Sequence, residues 1–213
     1  MRELRIEPNE YLPDQIAKRV RAYYHTPYVG YNKPGNPDYL NVLKNTFNDY
    51  SEQYLSSAVI QLMEVLLEDL PQIPKLVQIN PLYVCVVPRA KAEHVYHPYQ
   101  LLFRSTVQYV VNQVYGLVDA TSYLVRHTNT KTTHLRKPIP NYNNDGPDPY
   151  PGITRDTCKI SPEIRDKDIL LIDDIYTPGV NIVEDAICAI VEAGAATVTF
   201  YAVGYTIQKV RRS

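Results

Sequence analysis

The chain has 213 residues, with 22 Lys and Arg against 23 Asp and Glu, and its formal net charge is −1. This balance gives no strong signal for nucleic-acid binding, and no apolar run approaches the ~20 residues of a transmembrane helix, so no membrane association is predicted. Three widely separated cysteines predict neither a disulfide framework nor a zinc ribbon, and the charged start, MRELRIEPNE, is unlike a signal peptide, so we expect a cytoplasmic protein.

The first 55 residues have an irregular, partly helical pattern. A short helix is predicted over Asp14–Arg21 and another over Tyr39–Tyr50. Between them, residues 23–39 contain three prolines and two glycines, which predicts a loop. We therefore divide the chain into an N-terminal segment, 1–55, that serves as a hood or an interface, and an α/β domain, 56–213.

From residue 56 onwards, helical periodicity alternates with short aliphatic runs that are typical of buried strands. The predicted elements are helix Ser56–Leu70, strand Leu82–Val87, helix Tyr99–Tyr115, strand Tyr123–Val125, strand Asp168–Ile172, helix Val180–Glu192 and strand Thr197–Val203. This alternation predicts an α/β fold with a central, mainly parallel sheet flanked by helices.

A long stretch, residues 127–163, interrupts this alternation. It is rich in Pro, Asn, Thr and Asp, with a short helix predicted at 131–137 and a strand at Ile153–Ile160. A loop of this length inside a compact domain is usually functional or disordered. We expect it to be a flexible loop that belongs to an irregular hood over the sheet.

The most informative string is Ile169–Asn181, in which four aliphatic residues precede Asp173 and Asp174 and a Thr-Pro-Gly turn follows. Ligands of open α/β sheets bind at the carboxyl ends of strands, and a helix N-terminus there offers N–H groups to an anion. The paired acids suit hydroxyl groups, a Mg²⁺ ion, or both. An Asp-Asp pair in this position also serves simply as a turn and helix cap, and that alternative stays open.

The whole string is more specific than the acid pair. An aliphatic strand, two acids, two apolar residues and Thr-x-Gly resemble the phosphoribosyl pyrophosphate (PRPP) signature of type I phosphoribosyltransferases. Ile169–Asn181 matches it, Ala193–Val203 is similar to the strand that follows, and Val86–Lys91 resembles the pyrophosphate loop. Arg126–Leu135 is similar to the corresponding segment of ComF-type members, which together with amidophosphoribosyltransferase-like members are the most similar in pattern.

The resemblance implies a type I phosphoribosyltransferase-like fold and a role for each matched residue. Asp173, Asp174 and Thr177 are the implied catalytic residues, and the two carboxylates hold the ribose hydroxyls directly or as ligands of Mg²⁺. The implied phosphate loop comprises Asp173 and Asp174 with Thr177, Pro178, Gly179, Val180 and Asn181. Pyrophosphate is assigned to Arg89, Ala90 and Lys91, and Arg136 and Lys137 of the flexible loop are expected to close over it.

The implied activity is transfer of ribose 5-phosphate from PRPP to a nitrogenous acceptor, with release of pyrophosphate, by a homodimer. Pro178 stands where the family has Thr, and it removes one N–H donor from the phosphate loop. The intact acid pair favours an enzyme, whereas the altered loop favours a non-catalytic PRPP- or nucleotide-binding regulator. A third hypothesis is an accessory protein of a DNA-uptake, stress or defence system on the same fold.

Overall fold

The computed structural model describes residues 1–133, 139–140, 142–144 and 146–207. Its main sheet has six strands, of which only the pair at one edge is antiparallel. These strands are β1 (Arg2–Leu4), β2 (Arg21–Tyr28), β3 (Leu82–Val86), β4 (Leu117–Asp119), β7 (Asp168–Tyr176) and β8 (Thr197–Thr206), in the order β1-β2-β8-β7-β3-β4. A separate antiparallel pair consists of β5 (Leu124–Arg126) and β6 (Cys158–Ile160).

Helices cover both faces of the main sheet. They are α1 (Asp14–Ala17), α2 (Tyr39–Lys44), α3 (Glu52–Asp69), α4 (Ile73–Val77), α5 (Leu102–Val111) and α6 (Ile182–Glu192). In β7, Ile169 and Leu171 join the core on the α6 side, while Leu170 and Ile172 join the core under α3 and α5. This two-sided burial explains the unbroken aliphatic run of β7. It confirms the predicted α/β class with a mainly parallel sheet flanked by helices.

The N-terminal segment differs from its prediction. The first helix ends at Ala17, and the predicted loop contains strand β2, which pairs in parallel with β8. The loop prediction was wrong for residues 23–28, because pairing with a strand more than 170 positions away in the chain leaves no local signal. Residues 1–55 therefore contribute two strands, β1 and β2, to the same sheet as the rest of the chain.

Smaller differences concern element bounds. Strand β7 runs on through Tyr176, so the acid pair lies within the strand rather than after it. In the long loop, the strand predicted at Ile153–Ile160 is reduced to Cys158–Ile160, and residues 131–133 are not helical. Among the helices of the described ranges, none has the length and apolar character needed to cross a membrane.

Candidate functional site

A cavity of about 330 Å³ lies at the carboxyl ends of β3 and β7. Six of the twelve residues that the sequence predicted for the site line it. Asp173, Asp174, Thr177 and Val180 line it from β7 and the following turn, and Arg89 and Ala90 line it from the loop after β3. Neighbouring parallel strands end at the same edge of a sheet, which is how residues more than 80 positions apart come together.

The two carboxylates are oriented by the backbone of the residues that follow them. The Asp174 N–H donates to Asp173 Oδ1 at 2.8 Å, and the Ile175 N–H donates to Asp174 Oδ1 at 2.6 Å. Burial, and then repulsion from Asp174, raise the pKa of the Asp173 carboxyl well above its ordinary value, against the opposing effect of Lys44. The pair therefore favours a ligand that supplies hydroxyl donors or positive charge.

Lys44, at the end of α2, already supplies one positive charge. Its Nζ lies 3.5 Å from Asp174 Oδ2, and both side chains are partly exposed to the cavity. Within the described residues, no group of three or more His, Cys, Asp or Glu side chains could hold a metal ion. Mg²⁺ needs near-octahedral oxygen ligands. Because the Lys44 ammonium group already pairs with Asp174 Oδ2, the two carboxylates alone do not fit a resident Mg²⁺ ion.

The turn after β7 is closed by its own backbone. The Val180 N–H donates to the Thr177 carbonyl at 3.0 Å, and Gly179 has φ +80°. Proline at the second position and glycine with positive φ at the third are typical of a type II turn. Pro178 has no N–H group and the Val180 N–H is used in the turn, so neither is available to an anion.

The two ends of this turn are held by side chains from distant parts of the chain. The Oγ1 atoms of Thr177 and Thr206 are 2.7 Å apart. Asn181 Oδ1 accepts a hydrogen bond from Asn9 Nδ2 at 3.2 Å, so the N-terminal segment also reaches the start of α6. Thr177 faces the cavity, whereas Pro178, Gly179 and Asn181 belong to the surrounding turn rather than to the lining residues.

Arg89 is engaged by the protein itself. Its guanidinium donates to the carbonyls of Lys44 and Gln100 and lies 4.4 Å from the centre of the Tyr96 ring. By holding the Lys44 carbonyl, it fixes the helix end from which the Lys44 ammonium extends towards Asp174. Lys91 is buried and lines a smaller cavity of about 50 Å³ behind the loop.

Gln100 also binds the C-terminal end of α2. Its Nε2 donates to the carbonyls of Asn45 and Thr46 at 2.9 and 3.1 Å. Together with Arg89, it binds three consecutive carbonyls, those of Lys44, Asn45 and Thr46, at and just beyond the C-terminal end of α2. The N-terminal segment forms part of the cavity wall, and the segment around residues 89–100 holds that part in place.

Arg126, at the end of β5, is a cavity residue that sequence reasoning did not select. Its side chain is 3% exposed. Nε donates to the Arg89 carbonyl at 2.6 Å, and Nη1 donates to the Gly152 carbonyl at 2.8 Å. Burial lowers the pKa of this guanidinium. The only sequence signal was its position as the first residue of the string that resembles ComF-type members.

The long loop is tied down at residues 152–153. Asp185, in the first turn of α6, accepts the N–H groups of Gly152 and Ile153 at 2.7 and 2.8 Å through one oxygen, Oδ2. Burial raises the pKa of the Asp185 carboxyl. Near the start of the loop, the Ala90 carbonyl accepts both the N–H and the hydroxyl of Thr130. The predicted loop residues Arg136 and Lys137 lie outside the described residues.

Fold and cavity together define an α/β protein with a charged site at the carboxyl edge of a mostly parallel sheet. Among the described residues, those charged side chains that line the cavity are Lys44, Arg89, Arg126, Lys131, Asp173 and Asp174. No model of a known protein family matches the chain. The curated proteins likewise include no significant match to it.

Proposed function

We propose that the protein is a PRPP-dependent phosphoribosyltransferase-like protein that transfers ribose 5-phosphate to a nitrogenous acceptor and releases pyrophosphate. The observation that carries this proposal is the cavity in which Asp173, Asp174 and Thr177 lie together with the cations Lys44, Arg126 and Lys131. Acids for a diol, a helix N-terminus for a phosphate and cations for a diphosphate are the groups that PRPP requires. A homodimer and a cytoplasmic location form part of the same proposal.

In this proposal, the carboxylates of Asp173 and Asp174 accept hydrogen bonds from the ribose 2′ and 3′ hydroxyls. The Thr177 hydroxyl and the N–H groups of Gly179 and Asn181 hold the 5′-phosphate. The bond between ribose C1 and the pyrophosphate oxygen breaks, and its electron pair leaves with pyrophosphate. A bond between C1 and the acceptor nitrogen forms, and the proton of that nitrogen passes to solvent water.

Charge at the leaving pyrophosphate is the main electrostatic demand of the reaction. Lys44, Arg126 and Lys131 line the cavity and supply positive charge for it. Mg²⁺ enters this proposal with PRPP, as a counter-ion of its pyrophosphate, and not as a resident ion of the carboxyl pair. Arg136 and Lys137 remain proposed loop cations that close over the ligand.

A second candidate is a non-catalytic regulator that binds PRPP or a nucleotide, including an accessory role in DNA uptake, stress or defence. The turn geometry favours it, because Pro178 and Val180 offer no N–H group to a phosphate. One lost charge-assisted hydrogen bond costs about 1.5–3 kcal/mol, which is about tenfold or more in affinity. Such a site would bind PRPP more weakly and hold its phosphate less firmly during chemistry.

Calorimetry with PRPP and Mg²⁺ tests the proposal. The wild type is expected to bind, and the double variant Asp173→Asn/Asp174→Asn is expected to lose binding. Asp14→Asn is the matched control, because Asp14 is exposed and lies outside the cavity lining, and among the described residues its carboxylate forms an ion pair with Lys18 alone. No heat with the wild type would refute PRPP binding. Binding without pyrophosphate release, across a panel of bases and amines, would favour the regulator.

A further inference from the structure

Arg126 is a buried cation without an acidic partner in direct contact. Among the described residues, no carboxylate forms an ion pair with its guanidinium. Its two hydrogen bonds to described residues go to neutral backbone carbonyls, those of Arg89 and Gly152. Burial of a charge without a counter-charge is strongly unfavourable in a protein interior. Such a buried cation needs an explanation, and an anionic ligand in the adjoining cavity would supply the missing counter-charge.

Against the lowering effect of burial, Asp185 raises the pKa of Arg126 by electrostatic attraction, without a direct ion pair. The two side chains meet opposite sides of the peptide group between Gly152 and Ile153, since Arg126 donates to the Gly152 carbonyl and Asp185 accepts the Ile153 N–H. Asp185 Oδ2 also accepts a second N–H group, that of Gly152. Asp185 therefore neutralises the guanidinium only in part.

The guanidinium also borders open space. Arg126 lines the cavity of about 330 Å³ that contains the carboxyl pair. Its second terminal nitrogen, Nη2, makes no hydrogen bond to any other described residue. A guanidinium fork with free N–H groups suits phosphate oxygens in geometry and charge. Arg89, the first of the two cations predicted to bind pyrophosphate, uses both terminal nitrogens to donate to carbonyls. Lys91, the second, is not among the described residues that line the larger cavity.

We propose that Arg126 is the main anion-binding residue of the cavity and that it holds a diphosphate group. The identity of that group as the pyrophosphate moiety of PRPP rests on the proposed function. Arg89 then acts as a positioning residue, because its carbonyl accepts Arg126 Nε while its guanidinium holds the end of α2.

Titration of the protein with inorganic pyrophosphate alone, without PRPP or acceptor, tests this assignment. The wild type is expected to bind, and Arg126→Lys, which keeps the charge but loses the fork, is expected to bind at least about tenfold more weakly. Arg155→Lys is the matched control, because Arg155 is exposed and lines other cavities. No binding to the wild type, or equal binding by wild type and Arg126→Lys, would overturn the assignment.

A measurement on the wild type covers the case in which Arg126→Lys does not fold. In protein labelled with ¹⁵N-arginine, pyrophosphate is expected to shift the Nε–Hε resonance of Arg126 and to leave that of Arg155 in place. An unshifted Arg126 resonance would refute the assignment.

The two proposals can fail separately. If Arg126→Lys weakens pyrophosphate binding while Asp173→Asn/Asp174→Asn leaves PRPP binding unchanged, the anion site is supported and the phosphoribosyltransferase proposal is refuted. If the double variant loses PRPP binding while Arg126→Lys binds pyrophosphate like the wild type, the phosphoribosyltransferase proposal is supported and the anion site is refuted.

Discussion

Replacement of Asp185 by alanine would release the long loop from α6. Two buried N–H groups, those of Gly152 and Ile153, would lose their acceptor, and each unsatisfied N–H group costs about 1–3 kcal/mol. Water from the neighbouring cavity, which Asp185 lines, can satisfy part of this loss. We therefore expect Asp185→Ala to lower the free energy of unfolding by about 2–4 kcal/mol.

Asp185→Asn separates the hydrogen bonds from the charge. The Asn Oδ1 atom can still accept both N–H groups, and no buried carboxylate remains, although the attraction to Arg126 is lost. Since burial raises the pKa of Asp185, its charged form is held at a cost, and we expect Asp185→Asn to change the free energy of unfolding by less than about 1 kcal/mol.

Urea unfolding gives the two free energies, and amide hydrogen exchange at Gly152 and Ile153 reports release of the loop. Exchange at both amides is expected to accelerate strongly in Asp185→Ala and only slightly in Asp185→Asn. Asp14→Ala, at an exposed site, is the control and should stay within about 0.5 kcal/mol of wild type. If the alanine and asparagine variants were equally destabilised, the hydrogen bonds would not be the origin of the effect.

Three further predictions concern Gly152, Tyr201 and Asp173. Gly152→Ala should lower the free energy of unfolding by about 1–3 kcal/mol in urea, because its Cβ would lie 2.1 Å from the Pro149 carbonyl oxygen; wild-type stability would refute that clash. Tyr201→Phe removes a 2.8 Å hydrogen bond to buried Asp69 and should cost about 1.5–3 kcal/mol. Burial alone raises the pKa of Asp69, but its hydrogen bonds lower it overall. The charged Asp69 carboxylate therefore stabilises the fold above the ordinary pKa of 3.8, and this stabilisation is lost as pH falls through the lowered pKa of the folded state. Since Tyr201→Phe removes one of these hydrogen bonds, acid unfolding should begin at higher pH in the variant. In the proposed function, PRPP binding requires the charged Asp173 carboxylate. Because the pKa of this carboxyl is raised, it becomes protonated while pH is still above 3.8, and PRPP affinity measured by calorimetry should fall on acidification from neutral pH; a flat profile would contradict this.

Strand β7 and helix α6 could be predicted because their signal is local. Residues 169–172 are buried on both faces, and a strand buried in this way has an unbroken aliphatic sequence. The spacing of the acids and the turn then located the candidate site at the strand end. Adjacent strands, β3 and β7, brought the loop that contains Arg89 and Ala90 to the same cavity.

What the sequence could not provide depends on contacts between distant segments. From the sequence, Lys44 was only a basic residue in a predicted helix. Its position beside Asp174 depends on the pairing of β2 with β8 and on the hydrogen bond from Arg89 to the Lys44 carbonyl at the end of α2. Arg89 was correctly located at the cavity, but the carbonyls that occupy its guanidinium come from residues up to 45 positions away. Such hydrogen bonds have no spacing that a sequence could show.

The place of β2 in the sheet has a practical consequence for work with fragments. Seven consecutive residues of β8, from Val198 to Gly204, are buried, and β2 covers the edge of that strand. A fragment that began at residue 56 would leave this edge open as a row of unpaired backbone groups on an apolar strand. Open edges of that kind recruit other chains, so such a fragment would be expected to precipitate or form fibres during expression.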